Sequence, residues 1–308
     1  MARVFDLAMT HGLDSDDFFI HRIQERCAQL GMNFFLIEPI WLEPFRFQFE
    51  QGNLSVRVLL NMHSEHHNPS DPFLRLIHSA AEKGVMMIDD PRVALDAFDK
   101  ARFHARLVRE GMPVPTTVIV GHEELSGYEF TPGLFAALGS TFVIKPAKGY
   151  GRRGVVLNAS APEDLRRSAA AWPDSHYLLQ ERIRPRLVND QPMYFRAFHV
   201  FGKIHVCLWN CFTDAYSREI DSTDAEFKDC HGRITELVNK LASLCGMKFF
   251  STEIAIDGEN KIFLIDYVND QCHMLTKSSS PGNGVPDDLV RAVAFGLVEG
   301  ARSLIRQS

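Results

Sequence analysis

An α/β unit followed by an α+β region is the fold class that this 308-residue sequence predicts. Three observations predict it. Residues 3–90 alternate short apolar strands with helical patterns, which implies a mainly parallel sheet. Residues 91–185 mix helices and strands around a glycine-rich loop, and beyond Pro185 the pattern turns to β-hairpins followed by a closing helix. We expect domains at 1–90, 91–185 and 186–308; the length suffices for two or three sub-domains with sizeable cores.

The elements follow in order. Strands are expected at residues 4–8, 33–38, 54–60 and 85–88, with helices at 14–30, closed by Gly31, and at 72–83, stopped by Gly84. A helix over 92–110 presents Ala94, Phe98, Ala101, Ala105 and Val108 on one face, and Gly111, Pro113 and Pro115 end it. Residues 116–120 read as a strand, 132–138 as a helix, 162–171 as a helix and 176–181 as a strand. Residues 194–200 and 204–209 flank the turn Phe201-Gly202-Lys203. A helix over 233–245 leads into a hairpin of 249–256 and 261–266 around Asp257-Gly258-Glu259-Asn260. The last helix begins near Pro286 and runs to about 305.

Composition narrows the class. Hydrophobic residues are 45% and charged residues 23%, as in soluble globular enzymes. A formal net charge of −6 argues against nucleic acid as a partner, which would need a basic footprint. No apolar run has the length of a membrane span and no signal peptide is visible. Cys27, Cys207, Cys211, Cys230, Cys245 and Cys272 form no C-x-x-C pair. Reduced thiols, a cytoplasmic location and no membrane partner are the expectation.

The stretch richest in chemistry is residues 142–157. A strand ends in Lys145, a loop carries Lys148, Gly149, Gly151, Arg152, Arg153 and Gly154, and Val155-Val156-Leu157 opens a second strand. The glycines let backbone N–H groups approach an anion and the lysines add fixed positive charge. A dinucleotide fingerprint would open a helix, and this loop opens a strand. A hairpin folded over the phosphates of ATP fits better, a plain tight hairpin being the alternative. ATP chemistry needs Mg2+, which takes carboxylates and phosphate oxygens. Glu253 and Asp266 lie thirteen residues apart across the Asp257–Asn260 turn. Of the two registers considered, each sets the carboxylates on one side of the sheet, roughly 5 to 8 Å apart. Like charges that close call for a cation, and Asn269 and Asp270 follow at once.

These segments, in this order, resemble the ATP-grasp superfamily, which includes D-alanine–D-alanine ligase, glutathione synthetase and the ribosomal-protein glutamate ligases. The resemblance covers roughly residues 86–305, and the unit before it is similar to the Rossmann-like domain that precedes the grasp in many members. It implies nucleotide binding by Lys100, Lys145, Lys148, Gly149, Gly151 and Gly154. It also implies an adenine hinge at Gln180, Glu181 and Ile183, with Asp190 as the nearest ribose acid. Arg196, Lys145 and Arg153 are implied as catalytic, Arg196 facing the transferring phosphoryl group. Glu253, Asp266 and Asn269 are implied as metal ligands, with Asp270 competing for the third place. The sequence departs from the pattern in two places. Asp266-Tyr267-Val268-Asn269 replaces Glu-x-Asn, and Trp209-Asn210 stands where a basic residue is common, Arg218 being a substitute.

Other candidates carry less. His63, His66 and His67 read as a solvated loop, and Cys207 and Cys211 as buried thiols. His273 and the run 277–284 fall where the resemblance places acceptor contacts, an ordinary loop being equally compatible. The expected activity is an ATP- and Mg2+-dependent ligation of a carboxylate to an amine through an acylphosphate. The substrates would be small molecules or a peptide acceptor, and a homodimer is the oligomer expected first. The alternatives are a phosphotransferase on the same fold and a non-catalytic nucleotide-binding module.

Overall fold

The computed structural model describes residues 3–12, 16–62, 68, 70–225 and 227–307. The chain divides into two compact units. One comprises Met1–Ala94, Tyr194–Thr252 and Val268–Ser308; the other comprises Leu95–Met193 and Glu253–Tyr267.

The first unit opens with β1 (Arg3–His11), α1 (Asp17–Gln29), β2 (Phe34–Ile37), α2 (Pro39–Glu50), β3 (Leu54–Met62), α3 (Pro72–Glu82) and β4 (Met86–Ile88). The strands form a sheet in the order β2-β1-β3-β4. All three pairings are parallel, Leu7 facing both Phe34 and Val58, and Val58 facing Met86. Side chains of a strand alternate between faces, so a sheet covered on both sides reads as a continuous apolar run. Leu7, Met9, Val58 and Leu60 join Phe19 and Ile23 of α1 in one core. Ala8 and Leu59 join Leu42 and Phe45 of α2 and Phe73 and Ile77 of α3 in another. Helix α2 escaped prediction. Pro39 opens it and Pro44 lies inside it, and exposed Ile40, Trp41 and Phe47 blur the spacing of its buried Leu42, Phe45 and Phe49.

The predicted helix over 92–110 is two helices, α4 (Pro91–Phe98) and α5 (Lys100–Arg109). Asp99 leaves the helical region at ψ 92 and its carboxylate accepts from the Arg102 N–H, an N-cap that restarts the helix. The restart moves the phase of the buried face. Phe103, His104 and Leu107 are buried, whereas Val108 is 55% exposed and Ala105 is also exposed.

The second unit continues with β5 (Thr117–Gly121), α6 (Pro132–Leu138), β6 (Phe142–Pro146), β7 (Val156–Ala159), α7 (Pro162–Ala171) and β8 (His176–Glu181). The sheet runs β5-β8-β6-β7 and is antiparallel throughout. Val120, Phe142, Ile144 and Leu179 pack against Leu134, Leu138 and Leu165 of α6 and α7. A small hairpin, β9 (Leu187–Val188) and β10 (Gln191–Pro192), turns through Asn189 and Asp190 at φ 51 and 64. Both values are left-handed, as the two-residue turn that matches strand twist requires.

Next come β11 (Tyr194–Val200), β12 (Lys203–Asn210), β13 (Ala215–Ile220), α8 (Lys228–Cys245), β14 (Phe249–Ile256), β15 (Ile262–Asn269) and α9 (Asp287–Gln307). Strand β13 carried no prediction; its exposed Ser217, Arg218 and Glu219 lack a strand's alternation. The sheet order is β13-β12-β11-β14-β15, and β14 and β15 each run from one unit into the other. The Asp89 carboxylate accepts from the N–H groups of Lys248 (2.8 Å) and Phe249 (2.9 Å) at the start of β14. In α9, Leu289, Val293 and Leu297 complete the core shared by β1, β3 and α1.

No disulfide joins the six cysteines. Burial pushes the Cys27, Cys207 and Cys272 thiols up to about 12, so they are unreactive packing residues. Among the described residues no helix is long and apolar enough to cross a membrane.

Candidate active site

The second unit gathers most of the predicted phosphate-binding residues. Lys145 lies near the end of β6, opposite Leu178 of β8, and only 9% of it is exposed. Its Nζ donates to the Ile265 carbonyl at 2.8 Å and stands 5.5 Å from the centre of the Tyr267 ring. Burial pushes this ammonium down to about 8; Lys100 adds to the fall, and Asp266 and Glu253 oppose it. Lys100 opens α5 just after its Asp99 cap. Its Nζ donates to the Gly149 carbonyl at 2.8 Å and lies 3.8 Å from Asp266 Oδ1. Two cations and two carboxylates therefore act on one another here. The turn joining β14 to β15 closes with the Asp257 N–H donating to the Lys261 carbonyl (3.0 Å), and Asn260 takes the left-handed φ of 62. This register lies between the two read from the sequence. An unbroken ladder would set Glu253 opposite Ile265, yet both acids act on the same ammonium.

The glycine loop carries its own order. Lys148 donates its backbone N–H to Asp174 Oδ2 at 2.5 Å, and its Nζ is 3.8 Å from Asp99 Oδ2. Gly151, Arg152 and Gly154 have φ of 57, 59 and 72. Gly154 is also tight: a Cβ there would lie 2.7 Å from Trp172 Cβ and 2.8 Å from Pro146 Cγ. Gly151 has open space, so its need is conformational only. The Arg153 guanidinium lies over Tyr150 (4.9 Å) and Trp172 (5.4 Å) and donates to Tyr150 Oη at 2.9 Å.

The predicted hinge contains a buried network that the sequence did not reveal. Thr117 Oγ1 donates to the Pro115 carbonyl and so accepts from Gln180 Nε2 (3.0 Å). The same Nε2 donates to Tyr267 Oη (3.0 Å), whose own hydrogen goes to His104 Nδ1 (2.6 Å). With the phenol as donor to Nδ1, the neutral His104 ring carries its proton on Nε2. Burial, reinforced by the Lys145 charge, pushes His104 down to about 4. Burial pushes the Tyr267 phenol well above its ordinary value. Periodicity could have drawn attention to neither partner; the Asp99 cap, visible as Asp99 three residues before Arg102, would have put His104 on the buried face. Glu181 Oε2 accepts from the Thr116 N–H at 3.3 Å. Ile183 is half-buried, and Asp190 is exposed at its hairpin tip.

Arg196 and Asn269 belong to the first unit. Arg196 Nε donates to Ser251 Oγ at 3.3 Å, and the guanidinium lies 5.6 Å from the Trp209 ring centre. The Asn269 carbonyl accepts from Cys272 Sγ at 3.5 Å, and its Nδ2 is buried with no hydrogen-bond partner. Asp270 acts electrostatically on Asp89 and Cys272. Arg218 pairs with Asp224. His63, His66 and His67 lie outside the described residues.

The donor set fits magnesium. Glu253 and Asp266 offer hard carboxylate oxygens, which Mg2+ completes with phosphate oxygens and water. Among the described residues no group of three or more His, Cys, Asp or Glu side chains is arranged to hold a metal by itself. An anion beside Lys145 would favour its charged form.

No protein-family model and no curated protein matches the sequence. Solved structures match along its length. D-alanine–D-alanine ligase from Bacillus anthracis, complexed with ATP, aligns over 100% of this chain and 99% of its own, at 12% identity and a TM-score of 0.68. D-cycloserine synthetase DcsG aligns over 97% and 99% at 16% identity and 0.63. A RimK domain ATP-grasp protein from Sphaerobacter thermophilus aligns over 96% and 97% at 16% identity and 0.60. With the lysine strand, the glycine hairpin and the carboxylate pair in place, these likenesses identify the fold as that of the ATP-grasp superfamily.

Proposed function

We propose that this chain is an ATP- and Mg2+-dependent ligase that joins a carboxylate to an amine through an acylphosphate, releasing ADP and phosphate. The observation that carries the reading is the meeting of Lys145 and Lys100 with Asp266 and Glu253 beside a glycine hairpin, on a fold whose solved examples include amide-forming ligases. Lys145, Lys100, Lys148 and the loop N–H groups hold the phosphates, and Glu253, Asp266 and Asn269 hold the metal. When bound, magnesium neutralises charge on the transferring phosphoryl group. A carboxylate oxygen attacks the γ-phosphorus and the bond to the bridging oxygen breaks, so ADP leaves. The amine nitrogen then attacks the acyl carbon, the C–O bond to phosphate breaks, and phosphate and a proton depart. The resemblance assigns Arg196 and Arg153, with Lys145, to charge stabilisation in the first step; catalysis is by positioning and electrostatics. Gln180, Glu181, Ile183 and Asp190 are assigned to the nucleoside, and the parts 1–90, 91–185 and 186–308 to separate roles.

The acceptor class is open to peptides as well as small amines. The ATP-grasp ligase PsnB, at 12% identity and a TM-score of 0.60, was solved with a precursor peptide and AMPPNP. Calorimetric titration of ATP with and without magnesium tests the site. Magnesium-dependent binding is expected, and ADP release stoichiometric with amide when carboxylate and amine are supplied. ADP release with a phosphorylated hydroxyl product would make it a phosphotransferase. ATP binding with no turnover would make it a nucleotide-binding module.

A further inference from the structure

Tyr267 directly follows Asp266, in the segment where this sequence departs from the ATP-grasp pattern. It is fully buried, and three other elements of the second unit close on it. Gln180 of β8 donates to its hydroxyl at 3.0 Å, and His104 Nδ1 of α5 lies 2.6 Å from the same oxygen. The His104 ring stacks against it with centres 5.8 Å apart, and Phe103 meets it edge-on at 6.4 Å. From β6 the Lys145 ammonium faces the ring, 5.5 Å from its centre.

The ring and the hydroxyl do different things. Strand β15 holds the Lys145 ammonium on both sides of Asp266: the Ile265 carbonyl accepts from it at 2.8 Å, and the Tyr267 ring faces its charge. An ammonium taken from water loses hydration that one carbonyl does not replace, and burial pushes Lys145 down to about 8. A desolvated aromatic face restores part of that stabilisation. The hydroxyl instead ties helix to strands. His104 and Lys100 are four residues apart on α5 and share a face. Fixing His104 therefore also fixes Lys100, whose Nζ is 3.8 Å from Asp266 Oδ1. A residue needed for packing alone would require neither the polar tip nor the ring turned to a charge.

We infer that Tyr267 is a positioning residue: its ring sets the Lys145 ammonium beside Asp266, and its hydroxyl aligns Lys100 with them. The inference rests on the ligase reading for its purpose, because that reading gives these three groups to phosphate and metal. The placement itself belongs to the chain without nucleotide, so the two can fail separately.

The test begins without ATP, on the full chain. The Lys145 Cε–Hε resonances should carry an upfield ring-current shift, kept in Tyr267→Phe and abolished in Tyr267→Leu. An unshifted Lys145 in the parent, or a shift that survives the leucine, would overturn the inference. A parent that shows the shift and binds no ATP would uphold the placement and remove the ligase reading. Calorimetry with Mg-ATP then measures the consequence. Tyr267→Leu should weaken binding about tenfold, the order of one desolvated cation–π contact, and Tyr267→Phe by no more than about threefold. In a Lys145→Ala background the same leucine change should cost less than about twofold, because Tyr267 acts through Lys145. Equal losses in the two backgrounds would make Tyr267 a packing residue and overturn the inference. Tyr267→Met takes the place of the leucine variant where that one does not fold.

Discussion

The lysine–carboxylate cluster of the second unit and the histidine–aspartate cluster of the first are both buried and polar, and they are completed in opposite ways. Lys145 and Lys100 each donate to a carbonyl at 2.8 Å, and the hinge side chains form a directional chain from Thr117 to His104. The first cluster holds its groups in place before any ligand arrives, as preorganised electrostatic sites do. In the second, His11 Nε2 and His273 Nε2 stand 3.7 and 3.8 Å from the Asp16 carboxylate oxygens. The two lysines of the first cluster are satisfied by backbone carbonyls, whereas His11 Nε2 and Asp16 Oδ1 of the second make no hydrogen bond among the described residues.

The largest effect that would break this contrast concerns Lys145. Lys145→Ala removes an ammonium on which both acids act, and we expect turnover to fall about 10²- to 10³-fold, the scale of losing one preorganised charge donor. Calorimetry should show weaker Mg-ATP binding as well. Unchanged affinity would mean that the lysine–carboxylate cluster is structural.

The glycine loop sharpens the comparison within one motif. Gly154→Ala meets both a left-handed φ of 72 and contacts at 2.7 and 2.8 Å. Strain and overpacking together predict a loss of about 2–4 kcal/mol in denaturant unfolding. Gly151→Ala meets only the φ of 57, with nothing within 4 Å, and should lose about 1 kcal/mol. Equal losses would mean that Trp172 and Pro146 move aside.

The buried hinge network comes next in size. Tyr267→Phe leaves the Gln180 donor and the His104 acceptor without the hydroxyl they share, at a cost of about 1–3 kcal/mol. The histidine adds a pH signature. Its ordinary value of 6.5 is lowered to about 4 in the folded chain, so the unfolded chain takes up the proton first. This contribution to stability is intact above pH 6.5, declines as pH falls towards 4 and then levels. Unfolding followed from pH 8 to 4 should show that slope in the parent and lose it in His104→Gln. A slope that survives would assign the effect to other groups.

What could be read from the sequence follows the same division. Lys145, Gly149, Gly151 and Gly154 sit within ten residues, and a strand–loop–strand with that chemistry is a local pattern. So are the paired strands around Asp257–Asn260 and the alternation that gives the β2-β1-β3-β4 sheet. His104 and Tyr267 are 163 residues apart, and only the fold brings them together. Asp16 and His273 are further apart still, and nothing in the spacing of either announces the other. Two misreadings were local: the Asp99 cap was overlooked inside an apolar periodicity, and the prolines of α2 concealed a helix whose buried stripe was already present.

The smallest stability effect is the most discriminating for the histidine–aspartate cluster. Asp16→Asn preserves size and removes a charge buried to 1% whose oxygens have one long hydrogen bond between them. If the carboxylate were there to hold α1 or the 274 loop, its loss would destabilise the chain by about 1–2 kcal/mol, the usual cost of losing a helix cap. Because it makes no cap hydrogen bond, removing the charge also relieves desolvation, and we expect stability to change by less than about 1 kcal/mol or to rise. A melting temperature that holds or rises would show that the fold does not depend on this carboxylate. A melting temperature lowered by several degrees would instead place Asp16 among the residues that hold the fold.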